Sequence, residues 1–382
     1  MAAYLDNNAS TKLLPAAAEA MQPYLADSYG NPSSPHRFGQ ESRRAVEKAR
    51  SAVAELLGAM SPSEIIFTSC ATESINQAFH IAWEIHGTKR LHIVTSSVEH
   101  AAVLEASEFY RAKGATLSII PVNSSGDLDL DRLDSVLAKS PAFVSLILAN
   151  NETGVIFPVE KAGMICRSHK ALFHLDATQG IGKMPASVRD WHCDYLSISA
   201  HKFHGPKGAG ALFVRAGGPR TSFIKGHQET GARGGTENVP GIVGMGVAAE
   251  ETHSTLATGV DRMASLRDML ESAILAAVPR SQVNGSTERR LCNTSNIYFP
   301  GKHSANLVER LSAQSVYVSA ASACATGGKP SHVLRAMGLG EERANASLRF
   351  SVGKLTTKDE INYAVRTVPK AIHSSLDVFS VR

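Results

Sequence analysis

The chain of 382 residues lacks any apolar run of about 18 residues, the length that a membrane-spanning helix requires. Its first ten residues, MAAYLDNNAS, lack the basic and apolar regions of a secretory signal peptide. The two absences argue against membrane insertion and secretion. The sequence therefore predicts a cytoplasmic protein without a membrane partner.

Blocks of like charge and paired metal-binding cysteines are missing as well. The 39 basic and 35 acidic residues are spread along the chain with a formal net charge of +4, which argues against direct binding to nucleic acid. The five cysteines are Cys70, Cys166, Cys193, Cys292 and Cys324. Their odd number and the lack of CxxC or Cys/His spacing exclude a disulfide framework and a zinc site. Cys166, Cys193 and Cys292 are predicted to be buried small hydrophobic residues.

Short apolar runs alternate with helical patterns between residues 60 and 215. The predicted strands are Ile65–Thr68, Leu91–Thr95, Leu117–Val122, Phe143–Ala149, Leu172–Asp176, Tyr195–Ser199 and Gly210–Val214. Amphipathic stretches such as Glu73–Ile85 and Ala102–Arg111 separate them. Strands that are apolar throughout predict a mostly parallel sheet covered by helices on both faces. The fold class is therefore α/β, and ligands are expected at the carboxyl ends of the strands.

The pattern changes beyond residue 255 and predicts a second, smaller α+β domain. Its predicted elements are a long helix Thr252–Ala277, strands Asn296–Phe299 and Leu348–Val352, and helices Ala305–Leu311 and Lys358–His373. We predict a large domain over residues 12–255 and a small domain formed by residues 1–11 and 256–382. The glycine-rich stretch Gly226–Asn238 is predicted to be a long functional loop between them.

A lysine stands at the end of one predicted strand, in the stretch SAHKFHGPKG that begins at Ser199. Lys202 in this position can form a Schiff base with an aldehyde cofactor, and Ser199 and His201 can donate hydrogen bonds to a phosphate. An exposed lysine in a loop is the alternative interpretation.

Three further positions favour a cofactor site. Asp176 ends the strand Leu172–Asp176, where a carboxylate can keep a pyridine ring protonated, although it can also cap a helix. Ala71 and Thr72 lie where a strand turns into a helix, a place that suits a phosphate but also fits an ordinary helix start. His100 can stack on a cofactor ring or have a structural role.

Several segments, taken in order, resemble the cysteine desulfurases of the NifS/IscS type, a group within the class-V aminotransferases. The segments begin at Tyr4 (YLDNNAST), Gly30 (GNPSSPH), Val98 (VEH), Asn150 (NNETG), Gln228 (QETG), Gly235 (GTEN) and Pro330 (PSHVL). The resemblance covers nearly the whole chain. It implies the aspartate-aminotransferase-like fold of type I, with pyridoxal 5'-phosphate as the cofactor.

The resemblance also implies roles for individual residues. Lys202 would form the Schiff base with the cofactor, Asp176 would pair with its pyridine nitrogen, and His100 would stack on its ring. The residues implied near the ring's phenolic oxygen are Asn151 and Gln179, and those implied at the phosphate are Ala71, Thr72, Ser199 and His201. Thr236 would reach the phosphate of a neighbouring subunit, so a homodimer is expected. Arg349 would bind the substrate carboxylate with bidentate geometry, beside Asn151.

The sulfur-accepting residue would be Cys324, which lies in a stretch of small residues followed by Gly327 and Gly328. Small residues would allow its thiolate to attack the substrate sulfur and then present a persulfide to an acceptor protein. Two positions depart from the family pattern. Cys70 replaces a usual glycine beside the phosphate-binding helix start, and Ala321 replaces a common glycine, which would restrict the backbone before Cys324.

The predicted activity is conversion of L-cysteine to L-alanine, with transfer of sulfur as a Cys324 persulfide. Lys202 would remove the α-proton, and His100 would donate or accept a proton during sulfur transfer. The sulfur would serve iron–sulfur cluster assembly, tRNA thiolation or DNA phosphorothioation, among which the sequence does not choose. The alternatives are another enzyme on the same scaffold, such as an aminotransferase or selenocysteine lyase, and a non-catalytic scaffold that docks acceptor proteins.

Overall fold

The computed structural model describes residues 1–87, 91–140, 142–320 and 330–374. Its β-strands are β1 Ala3–Tyr4, β2 Ile65–Thr68, β3 His92–Ser96, β4 Thr116–Ile120, β5 Phe143–Ile147, β6 Leu172–Asp176, β7 Tyr195–Ser199, β8 Gly210–Val214, β9 Gln282–Val283, β10 Thr294–Tyr298, β11 Val316–Tyr317 and β12 Ser347–Ser351. Its α-helices are α1 Pro15–Ala26, α2 Arg37–Leu57, α3 Ala71–His86, α4 Ala101–Ala112, α5 Leu130–Leu137, α6 Val159–Ser168, α7 Val239–Ser254, α8 Leu256–Ala277, α9 Ser304–Ala313, α10 His332–Ala336, α11 Gly340–Asn345 and α12 Lys358–His373. In the described part of the chain, no helix is both long and apolar enough to cross a membrane.

The seven predicted strands between residues 60 and 215 form one sheet in the order β2-β8-β7-β6-β5-β3-β4. Strands β3 to β7 are mutually parallel, and β8 runs antiparallel to both of its neighbours. The predicted α/β class with a mostly parallel sheet is confirmed. Alternate residues of each strand face opposite sides of the sheet. Accordingly, Ile65 and Phe67 belong to one apolar core and Ile66 to another on the opposite face.

A third core lies apart from this sheet. It joins Leu5 near the amino terminus to Leu270 of α8, Phe350 of β12 and Ile372 of α12. The antiparallel sheet β12-β10-β9 and the parallel pair β1-β11 border it. This separate core favours the predicted small domain, but the domain boundaries stay a prediction. Val333 in α10 packs with the first core, although the sequence assigned that stretch to the small domain.

One predicted helix is two helices in the structure. The stretch Thr252–Ala277 contains the end of α7 and the whole of α8, separated at Thr255. Thr255 has φ −114° and ψ 11°, outside the helical region, and its hydroxyl donates to the Glu251 carbonyl at 2.6 Å. Ser/Thr hydroxyls that bond back to a carbonyl compete with helix hydrogen bonds. The hydrophobic periodicity on both sides of Thr255 concealed this break.

The glycine-rich stretch Gly226–Asn238 contains a single 3₁₀ turn, Glu229–Gly231, and is fixed by buried ion pairs. The Arg50 guanidinium of α2 contacts both Glu229 carboxylate oxygens, at 2.6 and 2.9 Å. Glu229 also accepts the Phe67 N–H of β2 at 2.8 Å. Because both charges are buried, the pair ties the loop to α2 and β2.

Replacing Glu229 with Gln should therefore destabilise the protein strongly. The change leaves the buried Arg50 with only the exposed Glu47 carboxylate, 3.2 Å from its Nε, as a counter-ion. Breaking one partner of a buried pair typically costs about 3–5 kcal/mol. The urea midpoint of unfolding measures the effect. Glu250→Gln is the matched control, since Glu250 pairs with Lys48 of the same helix α2 at 3.6 Å on the surface. The control should cost no more than about 1 kcal/mol, and equal effects of the two changes would contradict the argument.

Candidate active site

A cavity of about 190 Å³ opens at the carboxyl edge of the seven-stranded sheet. Parallel strands end at the same edge, so the residues that follow β2, β3, β5, β6 and β7 converge there. The lining residues are Asn8, Ala9, Cys70, Ala71, Thr72, Ile75, His100, Ile147, Asn151, Asp176, Thr178, Gln179, Ser199, His201, Lys202 and Arg349. The cavity thus brings together every predicted site residue that the structure describes except Thr236.

Lys202 lies in the 3₁₀ turn Ala200–Lys202, directly after β7. Its Nζ atom donates to the carbonyl oxygens of Asn8 at 2.6 Å and Ala9 at 3.0 Å. The amino-terminal segment therefore holds the amine at the cavity wall. An amine in this place is available to an aldehyde group bound in the cavity.

Asp176 and His100 are fixed by backbone donors. Asp176 is buried at the end of β6, and its Oδ1 accepts the Thr178 N–H at 3.1 Å. His100 precedes α4, and its Nδ1 accepts the Ala102 N–H at 3.1 Å. Burial lowers the pKa of His100, against the opposing charge of Asp176, which favours the neutral ring at neutral pH. Because Nδ1 is the acceptor, the neutral ring carries its proton on Nε2.

One end of the cavity offers hydrogen-bond donors suited to a phosphate. Ala71 and Thr72 begin α3, whose first N–H groups are not capped by the side chain of Cys70. The buried hydroxyl oxygens of Ser199 and Thr178 have no hydrogen-bond partner among the described residues. Buried polar groups are normally hydrogen-bonded, and a helix amino terminus attracts anions. These residues fit a phosphorylated cofactor, and Thr178 is one that the sequence analysis missed.

His201 also lines the cavity, but it does not carry a charge there. Burial, followed by the positive charges of Lys202 and Lys207, lowers the pKa of His201 to about 4. Its Nδ1 lies 3.2 Å from the Ser10 hydroxyl oxygen. His201 can therefore contribute a neutral N–H donor rather than a cation.

Arg349 of β12 provides the cationic wall opposite the strand ends. Its guanidinium is buried and donates to the Asn151 carbonyl at 3.0 Å and to Asp6 Oδ1 at 2.6 Å. Its Nε atom has no partner among the described residues. An arginine with an unused N–H and a fixed plane is suited to a carboxylate ligand.

The amino-terminal segment connects these groups through Asn8, a role that the sequence analysis did not predict. The Asn8 carbonyl accepts from Gln179 Nε2 at 2.9 Å as well as from Lys202. The Asn8 side chain donates to the Asn151 carbonyl at 3.1 Å and to Thr294 Oγ1 at 2.9 Å. The only signal in the sequence was the position of Asn8 in the YLDNNAST segment.

Of the predicted site residues within the described ranges, Thr236 is not brought into the cavity. Thr236 is exposed in the stretch Gly226–Asn238 and does not line the cavity. Cys324 and Ala321 lie outside the described residues. Of the other thiols, Cys166, Cys193 and Cys292 are buried, as predicted, while Cys70 lines the cavity.

A buried carboxyl group lies beside the cavity. Glu99 Oε1 accepts from the Ser96 hydroxyl at 2.5 Å and from the Ile147 N–H at 3.0 Å, while Oε2 has no partner in the described part of the chain. Burial, with a contribution from the negative charge of Asp176, raises the pKa of Glu99 to about 8. Glu99 is therefore a neutral acid at neutral pH, which leaves Asp176 without a second negative charge beside it.

Comparison with known proteins agrees with this geometry. The sequence profile of the family "Aminotransferase class-V" matches residues 3–363. The chain therefore belongs to the class-V aminotransferase family.

Within that family, the relatives support the predicted resemblance to NifS/IscS-type proteins. The cysteine desulfurase of Nostoc sp. strain PCC 7120 is 46% identical over 371 residues, which cover 97% of this chain and 92% of that protein. A solved structure of a NifS-like protein is 38% identical, with a TM-score of 0.92 over 98% of this chain and 100% of that chain. A structure of SspA in complex with cysteine is 33% identical, with a TM-score of 0.81 over 93% of this chain and 100% of that chain. The resemblance to the NifS/IscS-type cysteine desulfurases is confirmed.

The Glu99 carboxyl predicts a measurable pH dependence of stability. Its pKa in the folded protein, about 8, lies above the ordinary value of 4.5. Protonation of Glu99 therefore contributes its full stabilisation below the ordinary pKa of 4.5. This stabilisation is lost as the pH rises through the pKa of the folded protein, about 8. The loss can reach about 1.4 kcal/mol per pH unit.

Glu99→Gln should remove this contribution, because a neutral amide replaces the protonated acid. Urea midpoints measured across the window should fall with pH in the unmodified protein and fall less in the variant. Glu105→Gln, an exposed change on α4, should leave the pH slope unaltered. The same slope in the unmodified protein and in Glu99→Gln would disprove a protonated Glu99.

Proposed function

We propose that the chain is a pyridoxal 5'-phosphate-dependent cysteine desulfurase that releases L-alanine from L-cysteine. The observation that carries the proposal is the convergence of Lys202, Asp176, His100 and Arg349 on one cavity, in a chain whose relatives are named cysteine desulfurases. The solved complex of a related chain with cysteine supports the choice of substrate. The cytoplasmic location expected from the sequence remains a prediction.

The residues that would hold the cofactor divide into three groups. Lys202 would bind its aldehyde carbon, Asp176 would pair with its pyridine nitrogen, and His100 would stack on its ring. Its phosphate would be bound by Ala71, Thr72, Ser199 and His201, and the unsatisfied hydroxyl of Thr178 is a further candidate donor to the cofactor. When bound, pyridoxal phosphate supplies an electron sink for the electron pair released at the substrate α-carbon.

Arg349 and Asn151 would orient the substrate. The buried guanidinium, paired with Asp6, would bind the carboxylate of L-cysteine through its unused Nε and the adjacent nitrogen. Lys202, once released by the incoming substrate amine, would take the α-proton. Its contact with the Asn8 and Ala9 carbonyls keeps the amine at the cavity wall during this step.

Sulfur transfer would depend on Cys324, which the resemblance assigns as the nucleophile. Its thiolate would attack the substrate sulfur, so that a sulfur–sulfur bond forms and the carbon–sulfur bond breaks. The electron pair of the broken bond stays with the substrate β-carbon, which takes up a proton. Return of a proton from Lys202 to the α-carbon then completes L-alanine. His100, neutral with its proton on Nε2, is better suited to donating a hydrogen bond to sulfur than to abstracting a proton.

The assembly is proposed to be a homodimer in which Thr236 reaches the partner's phosphate. Its exposed position outside its own cavity supports this arrangement. Acceptor proteins would then receive the persulfide sulfur, for iron–sulfur cluster assembly or another sulfur pathway. Sedimentation of the purified protein should give twice the chain mass of 40.7 kDa.

Lys202→Ala and Cys324→Ala should separate the two halves of the reaction. Lys202→Ala should lose the covalent linkage to the cofactor, which is measured as loss of its visible absorbance band. The same variant should also lose alanine formation. Cys324→Ala should keep the band and lose alanine and dithiothreitol-dependent sulfide formation by at least about 100-fold, the scale on which removal of a catalytic nucleophile acts. Lys170→Ala, an exposed lysine far from the cavity, is the control and should change neither.

Other outcomes would favour the alternatives. Alanine formation at full rate in Cys324→Ala would contradict the desulfurase assignment. Pyruvate formation from alanine with a keto-acid acceptor would indicate an aminotransferase. A purified protein that neither contains nor binds the cofactor would indicate a non-catalytic scaffold.

A further inference from the structure

Lys183 is a buried amine next to the cavity that the proposed mechanism does not use. It is 5% exposed and does not line the cavity that holds Lys202 and Gln179. Its Nζ atom donates to Gln179 Oε1 at 2.9 Å and to the Gln179 carbonyl at 3.0 Å. Both contacts are to oxygen acceptors, so the amine must act as a donor toward this one residue.

The chain between the two residues is built to make this contact. Gly182 has φ +79°, and a Cβ atom there would come within 3.1 Å of Phe203 Cβ and Thr252 Cγ2. The Cys292 thiol also contacts the Lys183 carbonyl, at 3.3 Å. Only a glycine fits this turn, and the turn returns the Lys183 side chain to Gln179.

Two contacts together fix which way the Gln179 amide points. An amide side chain can be turned over without changing its shape, and only its hydrogen bonds fix the positions of oxygen and nitrogen. The Asn8 carbonyl can only accept and the protonated Lys183 amine can only donate, so the amide oxygen faces Lys183. The amide nitrogen then donates to the Asn8 carbonyl at 2.9 Å, and its second N–H remains for the cavity that Gln179 lines.

We propose that Lys183 is a positioning residue, which orients the Gln179 amide so that an N–H group, and not the oxygen, faces the cofactor. The inference rests on the proposed function, because the group that accepts this N–H would be the phenolic oxygen of pyridoxal phosphate. Lys183 touches neither cofactor nor substrate. It acts through Gln179 and through its positive charge near Lys202.

Burial, and next the positive charge of Lys202, lowers the pKa of Lys183 to about 7. The other groups that influence Lys183 are Arg349 and the Cys292 thiol. Near Lys202 lie His100, which is influenced by Asp176, His332 and Glu152, and His201, which is influenced by Lys207 and Lys183. Replacing Lys183 also removes its charge from His201, whereas replacing Gln179 leaves that charge in place, so the two variants are compared with each other.

The test is a pH titration of the visible absorbance of the cofactor linked through Lys202. A fixed donor at the phenolic oxygen and a nearby cation both disfavour the protonated linkage. Lys183→Met removes both, so the titration midpoint should rise by about one pH unit. Gln179→Leu should raise the titration midpoint by a similar amount. In the double variant the midpoint should rise no further than in the single variant with the larger shift.

Lys354→Met is the matched control. Lys354 is a partly buried lysine that bonds to Glu251 Oε1 at 2.7 Å and Thr255 Oγ1 at 2.7 Å, and it has no contact with Gln179. Its replacement should leave the midpoint unmoved. Lys183→Gln, which keeps a shorter neutral donor, is the second variant if Lys183→Met does not fold, and it should give a smaller rise.

The inference would be overturned if the titration midpoint stayed unchanged in the Lys183 variant that folds. It would also be overturned if the shift of the double variant equalled the sum of the shifts of Lys183→Met and Gln179→Leu. These results would leave the proposed function intact, because the unmodified protein would still show the visible band and form alanine. Absence of the band from the unmodified protein supplied with pyridoxal phosphate would overturn both.

Discussion

The site depends on one buried peptide carbonyl, that of Asn8. It accepts hydrogen bonds from the Lys202 amine and the Gln179 amide, groups that follow two different strands of the large sheet. The side chain of the same residue bonds to the Asn151 carbonyl and to Thr294 of β10. A residue near the amino terminus thus holds together the strand ends and the antiparallel sheet that carries Arg349. Because all of these residues except the half-buried Lys202 are buried, a displaced Asn8 would leave several polar groups unsatisfied.

The convergence of the other site residues is a consequence of sheet topology. In the register of the sheet, Thr68 of β2 lies opposite Gly210, and Gly210 lies opposite Ser199 of β7. Asp176 of β6 lies opposite Ile147 of β5. These pairings bring the start of α3 beside the Lys202 turn, and Asp176 beside the segment that leads to Asn151. Strand-end residues far apart in sequence therefore meet at one edge.

This explains how much of the site the sequence could predict. The strands are apolar throughout, and a reactive or ionisable residue stands at the end of most of them. Position therefore made Lys202, Asp176 and His100 candidates, each beside a structural alternative, and the family resemblance implied their roles. The residues that were missed have no such signal. Asn8 acts through its backbone carbonyl, Thr178 through an unsatisfied hydroxyl, and Lys183 through a turn whose direction a sequence pattern does not give.

The fold shows the same limit. Periodicity gave the right strands within one or two residues, because alternation and burial are local properties of each segment. It did not give the break at Thr255, where one hydroxyl competes with the helix hydrogen bonds. It also could not show that Glu229 would be buried against Arg50, since the two residues are 179 positions apart. Such long-range pairs are determined by tertiary packing rather than by local propensity.

The charge distribution of the cavity gives a physical reason for its ligand preference. Lys202 and Arg349 line it and Lys183 lies just behind it, whereas Asp176 is the carboxylate at its wall, with Asp6 paired to Arg349. Glu99, His100 and His201 add no charge at neutral pH, since burial favours the neutral form of each. With Lys183 protonated, the three cations exceed the two carboxylates by one charge, and charge removed from water is costly unless an anion neutralises it. A phosphate at the start of α3 or a carboxylate at Arg349 would supply that neutralisation. Burial is the main cause of the lowered pKa of Lys183, and the positive charge of Lys202 adds to it, so a bound anion would relieve the repulsion that Lys202 exerts on it.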